Sequence, residues 1–152
     1  MIKIVPFEPE HLDLFDKKIE DEWLWANIDI KELCGKFAER GAMFSAFNVY
    51  GKVVAIAGIM AMWRGVGEVW ATFAPDGERH MKTIHRKSKE VIKTALDNGF
   101  WRLQTTVKAG FDKGIRWVEG LGFHFEGKME RYAPDGSDML RYAIVRRDDH
   151  VA

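Results

Sequence analysis

A single cysteine, Cys34, rules out an intramolecular disulfide and points to a reducing compartment, with a buried structural thiol as its plainest role. Neither sign of charge is in excess: 23 Lys and Arg stand against 23 Asp and Glu, so nothing in the overall charge favours a nucleic acid or an anionic membrane as the main partner. No apolar run approaches the length of a membrane span. The opening stretch "MIKIVPFEPEHL" carries acidic residues where a secretory leader needs an apolar core, so a soluble, cytoplasmic protein is expected. Linkers and low-complexity segments are also missing. The five histidines, His11, His80, His85, His124 and His150, show no metal-ligand spacing, because His80 and His85 are five apart and do not share a helical face. Ser88 falls inside a helical pattern with no nucleophile elbow, which leaves a hydrolase triad without support.

What is present is enough for one packed domain: 152 residues, 47% of them hydrophobic. Ile2 to Val5 reads as a strand. In "EPEHLDLFDKKI", Leu12, Phe15 and Ile19 share a helical face, with Pro9 in the first turn, where its missing N–H is harmless. Asp29 is placed to cap a second helix with Ile30, Leu33, Phe37 and Ala38 as its buried stripe and Gly41 as its end. "AMFSAFNVYGKVVAIAGIMAMW" is β-branched and aromatic around the turn Tyr50-Gly51-Lys52, which predicts two antiparallel strands. A further strand, "GEVWATFA", follows the turn at Arg64-Gly65. The longest helix runs from His80 to Gly99, with Met81, Ile84, Ser88, Val91, Ile92, Ala95 and Leu96 on one face. After the strand "WRLQTTV", a short helix with Ile115, Val118 and Leu121 on one face stops at Gly122. "FHFEGKMERYA" and "DMLRYAIVRR" then form a last strand pair around "PDGS". The echo of "FAPDG" at Phe73 and "YAPDG" at Tyr132 is read as shared turn chemistry, since Pro presets φ and Gly accepts positive φ.

The order βααβββαβαββ, with a helix leading through "LGF" into the last strands, resembles the GNAT acyltransferase superfamily over nearly the whole chain. The resemblance implies an α/β (α+β) fold in one domain, residues 1–152, with a mixed central sheet of about seven strands flanked by about four helices. It also implies acetyl-CoA as cofactor and an amine as acceptor. "IRWVEGLGF" followed by "RYAPDG" and a terminal strand is most similar to the small GNAT-like proteins of tailed bacteriophages, some of them internal virion proteins. That likeness implies host cytoplasm or virion as the location, and virion components as partners.

In this superfamily the strand before the long helix, here ending at Phe73, offers backbone groups to the pantetheine arm, and an Arg/Gln-x-x-Gly-x-Gly/Ala loop cradles the pyrophosphate. Carried onto this chain, Arg79 takes the arginine position. His80, Lys82 and Ile84 stand where small residues belong, and Gly77 is the only glycine nearby. Either Arg79, His80, Lys82 and the N–H groups near Thr83 replace the cradle with side-chain charge, or Arg79, Lys82, Arg86, Lys87 and Lys89 are the solvated face of an amphipathic helix. The second reading needs no ligand and is preferred. Many members protonate the leaving thiolate from a tyrosine whose matching position here is Val118. Glu68 is the candidate base and Tyr132 the substitute acid, each with an ordinary alternative as a strand-end carboxylate and a surface aromatic.

Six tryptophans are many for this length. Most are expected in the core. Trp23 and Trp25, with Trp63, are candidates for an exposed aromatic patch at a pocket or protein interface. Two functions follow: an acetyl-CoA-dependent N-acyltransferase with an altered loop, and a catalytically degenerate GNAT-fold protein with a structural or interaction role. A module that contacts DNA comes third, opposed by the neutral charge.

Overall fold

The computed structural model describes residues 1–16 and 29–147. Its seven strands are β1 (Lys3–Pro6), β2 (Gly41–Phe47), β3 (Val53–Trp63), β4 (Val66–Phe73), β5 (Arg102–Lys108), β6 (His124–Met129) and β7 (Met139–Val145). They form one mixed sheet in the order β1-β2-β3-β4-β5-β7-β6. The described α-helices are α1 (Ile30–Arg40), α2 (Met81–Asp97) and α3 (Asp112–Gly120), joined by 3-10 helices at Pro9–Leu14 and Pro75–His80. None of these helices is long and apolar enough to cross a membrane. The chain divides into two compact units, Met1–Met60 with Trp70–Ile84, and Ala61–Val69 with His85–Ala152.

In the first unit β2 pairs antiparallel with β1 and β3. Its core gathers Phe7, Phe15, Cys34, Met43, Val53, Ile56 and Ala74. Cys34 is fully buried, and removal from water pushes its thiol up to about 12, as the role of a structural thiol requires. Asp29 caps α1 as expected, its carboxylate accepting from the Glu32 N–H at 3.1 Å. The glycine after α1 acts differently from expectation. Gly41 is extended (φ −165°) and already the first residue of β2, where an added Cβ would lie 1.8 Å from the Ile59 carbonyl oxygen. It is there for close strand approach, not for a left-handed stop.

The expected first helix is also corrected. It is a 3-10 helix that ends at Leu14, after which Phe15 turns extended and bridges Val53. The buried Phe15 ring therefore reaches the core from a strand-like residue, and Ile19 lies outside the described residues. A polar node fixes this entry. His11 Nδ1 accepts from the Glu8 N–H at 3.1 Å and meets the buried Ser45 hydroxyl at 2.8 Å.

The second unit holds the parallel crossover. β4 and β5 pair in parallel through Val66↔Arg102, Gly67↔Leu103 and Glu68↔Gln104, as a helical connection between them demands. The ladder stops there, although β4 runs on to Phe73 and β5 to Lys108. β7 inserts antiparallel between β5 and β6 and leaves β6 at the sheet edge, with a bulge between Phe125 and Gly127. The stop of α3 is a Schellman closure: Gly122, at φ 103°, sends its N–H to the Glu119 carbonyl, and the Phe123 N–H returns to Val118.

The two PDG segments diverge. Pro134 to Gly136 makes the expected turn, with Gly136 at φ 83° and Asp135 accepting from the Ser137 N–H and hydroxyl. Pro75 to Gly77 instead opens the 3-10 helix that runs into α2. An added Cβ at Gly77 would sit 2.5 Å from the Val54 carbonyl oxygen. The shared triplet obeys its surroundings: a proline suits a first helical turn as well as a β-turn.

Gly65 and Gly99 both have positive φ, 82° and 114°, but an added Cβ at Gly65 would lie 2.1 Å from the Trp101 ring and at Gly99 would meet nothing within 4 Å. Gly99→Ala should therefore cost about 1 kcal/mol from backbone strain alone. Gly65→Ala should cost roughly 2 kcal/mol more from the added clash. Equal urea midpoints for the two variants would contradict this account.

Candidate functional site

The residues singled out in the sequence fall into both units. Phe73, Arg79, His80, Lys82 and Thr83 belong to the first, Glu68 and Tyr132 to the second.

In the first unit, β4 ends at Phe73 and the chain enters helix at once. Ala74 donates its N–H to Val54, Pro75 has none, and Gly77 donates back to Ala74, so three backbone positions at this start have no donor to offer. Asp76 and Glu78 place two carboxylates in the first turn, where the helix dipole favours negative charge. Asp76 accepts from Asn48 Nδ2 at 3.1 Å, with Arg79 Nε at 3.4 Å and His80 Nε2 at 3.8 Å. The Arg79 side chain is 82% exposed and that of His80 mostly shielded. Lys82 is exposed and Thr83 half-buried, both already inside α2.

A pyrophosphate needs outward N–H groups, room for the backbone to approach, and positive charge. Here the N–H groups of Ala74 and Gly77 are used, Gly77 is pressed against β3, and Asp76 and Glu78 set carboxylates beside the cations Arg79 and Lys82. This start has no glycine cradle, and the positive charge it offers comes from side chains.

In the second unit Glu68 is not a free carboxylate. Arg141 Nη1 donates to both of its oxygens, at 3.1 and 3.2 Å, and Gln104 Nε2 donates to Oε1 at 3.1 Å. Both charged side chains are only 18% exposed. The chain of contacts continues: Gln104 Oε1 accepts from Arg102 Nε at 2.8 Å, and the Arg102 guanidinium grips Glu126 with two hydrogen bonds. That grip, stronger than the opposing desolvation, holds the Glu126 carboxyl below its usual range. Tyr132 takes no part in this network. It lies in the β6–β7 connection and is 58% exposed. Val118 is buried in α3, so no acid occupies the expected tyrosine position. Tyr142, on β7, is buried, and its hydroxyl is held protonated by desolvation first and by the Glu119 charge second.

The sequence reading missed Gln104, Arg141, Asp76 and Asn48. Arg141 carried a signal, since a charge inside "MLRYAIV" must find a partner. So did the alternation of Arg102, Gln104 and Thr106 with buried Leu103, Thr105 and Val107 on β5. Of the proposed aromatic patch, Trp63 is 66% exposed, while Trp23 and Trp25 lie outside the described residues. Among the described residues no group of three or more metal-ligating side chains gathers.

No protein-family profile matches the chain, and no curated protein matches it by sequence. The fold does match solved structures. An acetyltransferase of the GNAT family from Streptococcus pneumoniae aligns with 97% of this chain and 100% of its own at 17% identity and a TM-score of 0.69. A spermidine N-acetyltransferase from Vibrio cholerae, solved as a point variant, covers 95% of this chain and 93% of its own at 14% identity and a TM-score of 0.69. A candidate phosphinothricin N-acetyltransferase covers 97% and 100% at 13% identity and a TM-score of 0.75. The chain has the fold of GNAT acetyltransferases.

Two stability measurements check the network. Arg141→Ala should cost about 2 kcal/mol, less than for a fully buried pair, and a cycle with Glu68→Gln should show a coupling of about 1 kcal/mol. Additive variants would mean the pair is incidental. Because Glu126 is depressed in the folded state, its stabilisation is full above the ordinary carboxylate range and is lost as pH falls through the folded pKa. Arg102→Met should therefore lower the urea midpoint at neutral pH, and the deficit should shrink as pH falls below the ordinary carboxylate range.

Proposed function

We propose that this chain is a catalytically degenerate GNAT-fold protein that works by interaction, phage-encoded and in the manner of an internal virion protein. The observation that carries the reading is the state of Glu68. Acyl transfer to an amine requires a base to take the ammonium proton, support for the carbonyl oxygen and an acid for the departing thiolate. The candidate base is held by three hydrogen bonds from Arg141 and Gln104, so its oxygens face partners of the sheet and would have to leave them to reach a substrate ammonium. The acid position is Val118, and Tyr132 is exposed in a connection outside the network. The phage setting rests on the likeness of "IRWVEGLGF" and "RYAPDG" to small phage proteins, and the neutral charge keeps proteins ahead of nucleic acid as partners.

One observation favours a second reading, acetyl-CoA-dependent N-acyltransfer. The parallel β4–β5 ladder is present, as the GNAT resemblance requires, and that resemblance implies that the strand before the long helix offers backbone groups to a pantetheine arm. Polyamines enter as acceptors to be tried because one fold neighbour acts on spermidine.

A thiol-release assay with acetyl-CoA against amines, polyamines and lysine peptides separates the two. The expected outcome is release at the uncatalysed background, since a positioned acid alone contributes about 10²- to 10⁴-fold. Turnover at ordinary enzyme rates, abolished by Glu68→Gln, would overturn the proposal.

A further inference from the structure

We infer that Asn98 is a site of spontaneous covalent modification: in the folded chain the Gly99 backbone nitrogen attacks the Asn98 side-chain amide, which ends as a carboxylate and loosens the end of α2. This chemistry is independent of whether the chain transfers acyl groups.

The chain has three places where Asn or Asp precedes glycine: Asp76–Gly77, Asn98–Gly99 and Asp135–Gly136. At such a pair the glycine nitrogen can reach the side-chain carbonyl carbon before it, because no Cβ crowds the approach and the backbone turns freely. The attack needs that nitrogen to give up its proton, so a hydrogen bond from the N–H to a carbonyl pins the nitrogen and opposes the step. Two of the three sites are tied in this way. Gly77 donates to the Ala74 carbonyl at 2.9 Å and Gly136 to the Ala133 carbonyl at 2.8 Å. Among the described residues the Gly99 N–H has no acceptor.

The cause lies in how α2 ends. The Phe100 N–H returns to the Ala95 carbonyl at 3.2 Å, the longer bond of a Schellman closure whose companion would run from Gly99 to Leu96. The Leu96 carbonyl is taken instead by the Arg146 guanidinium. Gly99, exposed and at φ 114°, keeps its N–H open to solvent. Asn98 is exposed as well, and its side chain has one bond to break, from Nδ2 to the Thr94 carbonyl at 2.6 Å. The other two side chains are held by more: Asp76 by Asn48, Arg79 and His80, and Asp135 by the Ser137 N–H and hydroxyl and by Lys108.

In the reaction the Gly99 nitrogen bonds to Asn98 Cγ, ammonia leaves and a cyclic imide closes. Water then opens the ring at either carbonyl, giving aspartate or an isoaspartate whose backbone runs through the former side chain. Water is consumed, ammonia is released, and nothing is oxidised or reduced. The new carboxylate is badly placed, at the negative end of the helix dipole and next to Asp97, whose partner Lys93 is already engaged at 2.6 Å. It also loses the donor that held Thr94. The residues that follow, Trp101 and Arg102, both donate to the Gly65 carbonyl, so an isoaspartate lengthens the backbone just ahead of that anchor.

Ageing the full chain in heavy-oxygen water at mildly alkaline pH tests this, because ring opening writes the label into residue 98, where peptide mass mapping reads it. Asp76→Asn and Asp135→Asn put the same Asn-Gly pair at the two tied sites. In the folded protein, label should enter at Asn98 several-fold faster than at residue 76 or 135 of these variants, and in urea the three rates should converge. If one variant does not fold, the other supplies the comparison. Asn98→Asp, which installs the product directly, should lower the melting temperature by about 2 to 4 °C, the shift for one unfavourable interaction in a chain of this size. No label at Asn98 in the folded chain, equal folded rates at the three sites, a difference that persists in urea, or an unchanged melting temperature for Asn98→Asp would each overturn the inference.

Discussion

A carboxylate carried on a sheet strand and largely shielded from water has to be given a cation, and in the second unit this requirement organises everything around Glu68. Desolvating a lone charge costs several kcal/mol, so a glutamate at this register is tolerable only with Arg141 beside it. Arg141 in turn comes from the one strand that inserts between β5 and β6. Gln104, paired directly with Glu68 in the parallel ladder, uses its amide to bond the carboxylate and its oxygen to orient Arg102. The polar side of this sheet is thus a connected set of donors and acceptors, and that completeness is what leaves little for chemistry. A carboxylate already holding three hydrogen bonds must give up partners before it can reach a substrate.

The first unit repeats the same logic at a helix start. Positive ends of helices attract anions, and whether the anion is a ligand or a side chain depends on a few residues. Here the Ala74 N–H goes to the strand, Gly77 packs against it, and Arg79 lies 3.4 Å from Asp76. The architecture shared with GNAT acetyltransferases is retained, since it rests on burial and strand order. The local chemistry is free to differ.

Much of the fold was legible because its signals are local. Asp29 before an apolar stripe, Gly122 after one, and a long helix between two strands each act within a few residues, and the cap, the closure and the parallel pairing all follow from them. What escaped the sequence was decided at a distance. Phe15 leaves its helix because Val53 is there to bridge it, and Gly41 is glycine because Ile59 passes within touching distance of where a Cβ would stand. The same triplet, PDG, becomes a turn in one place and a helix start in another, according to what lies across from it. Glu68 was visible as a carboxylate, but its partner is 73 residues away in sequence and nothing local to Glu68 announces it.

The bulge in β6 has a consequence for how this molecule behaves in a crowd. As the terminal strand of the sheet, β6 presents a row of backbone groups to which a strand from another molecule can add. The shift between Phe125 and Gly127 breaks the regular spacing that such an addition requires, and the exposed Glu126 and Lys128 place opposite charges along the same edge. An incoming strand would have to match an irregular edge and shed the water around two ions. The β6 edge is therefore a poor template for a strand from a second copy of this chain.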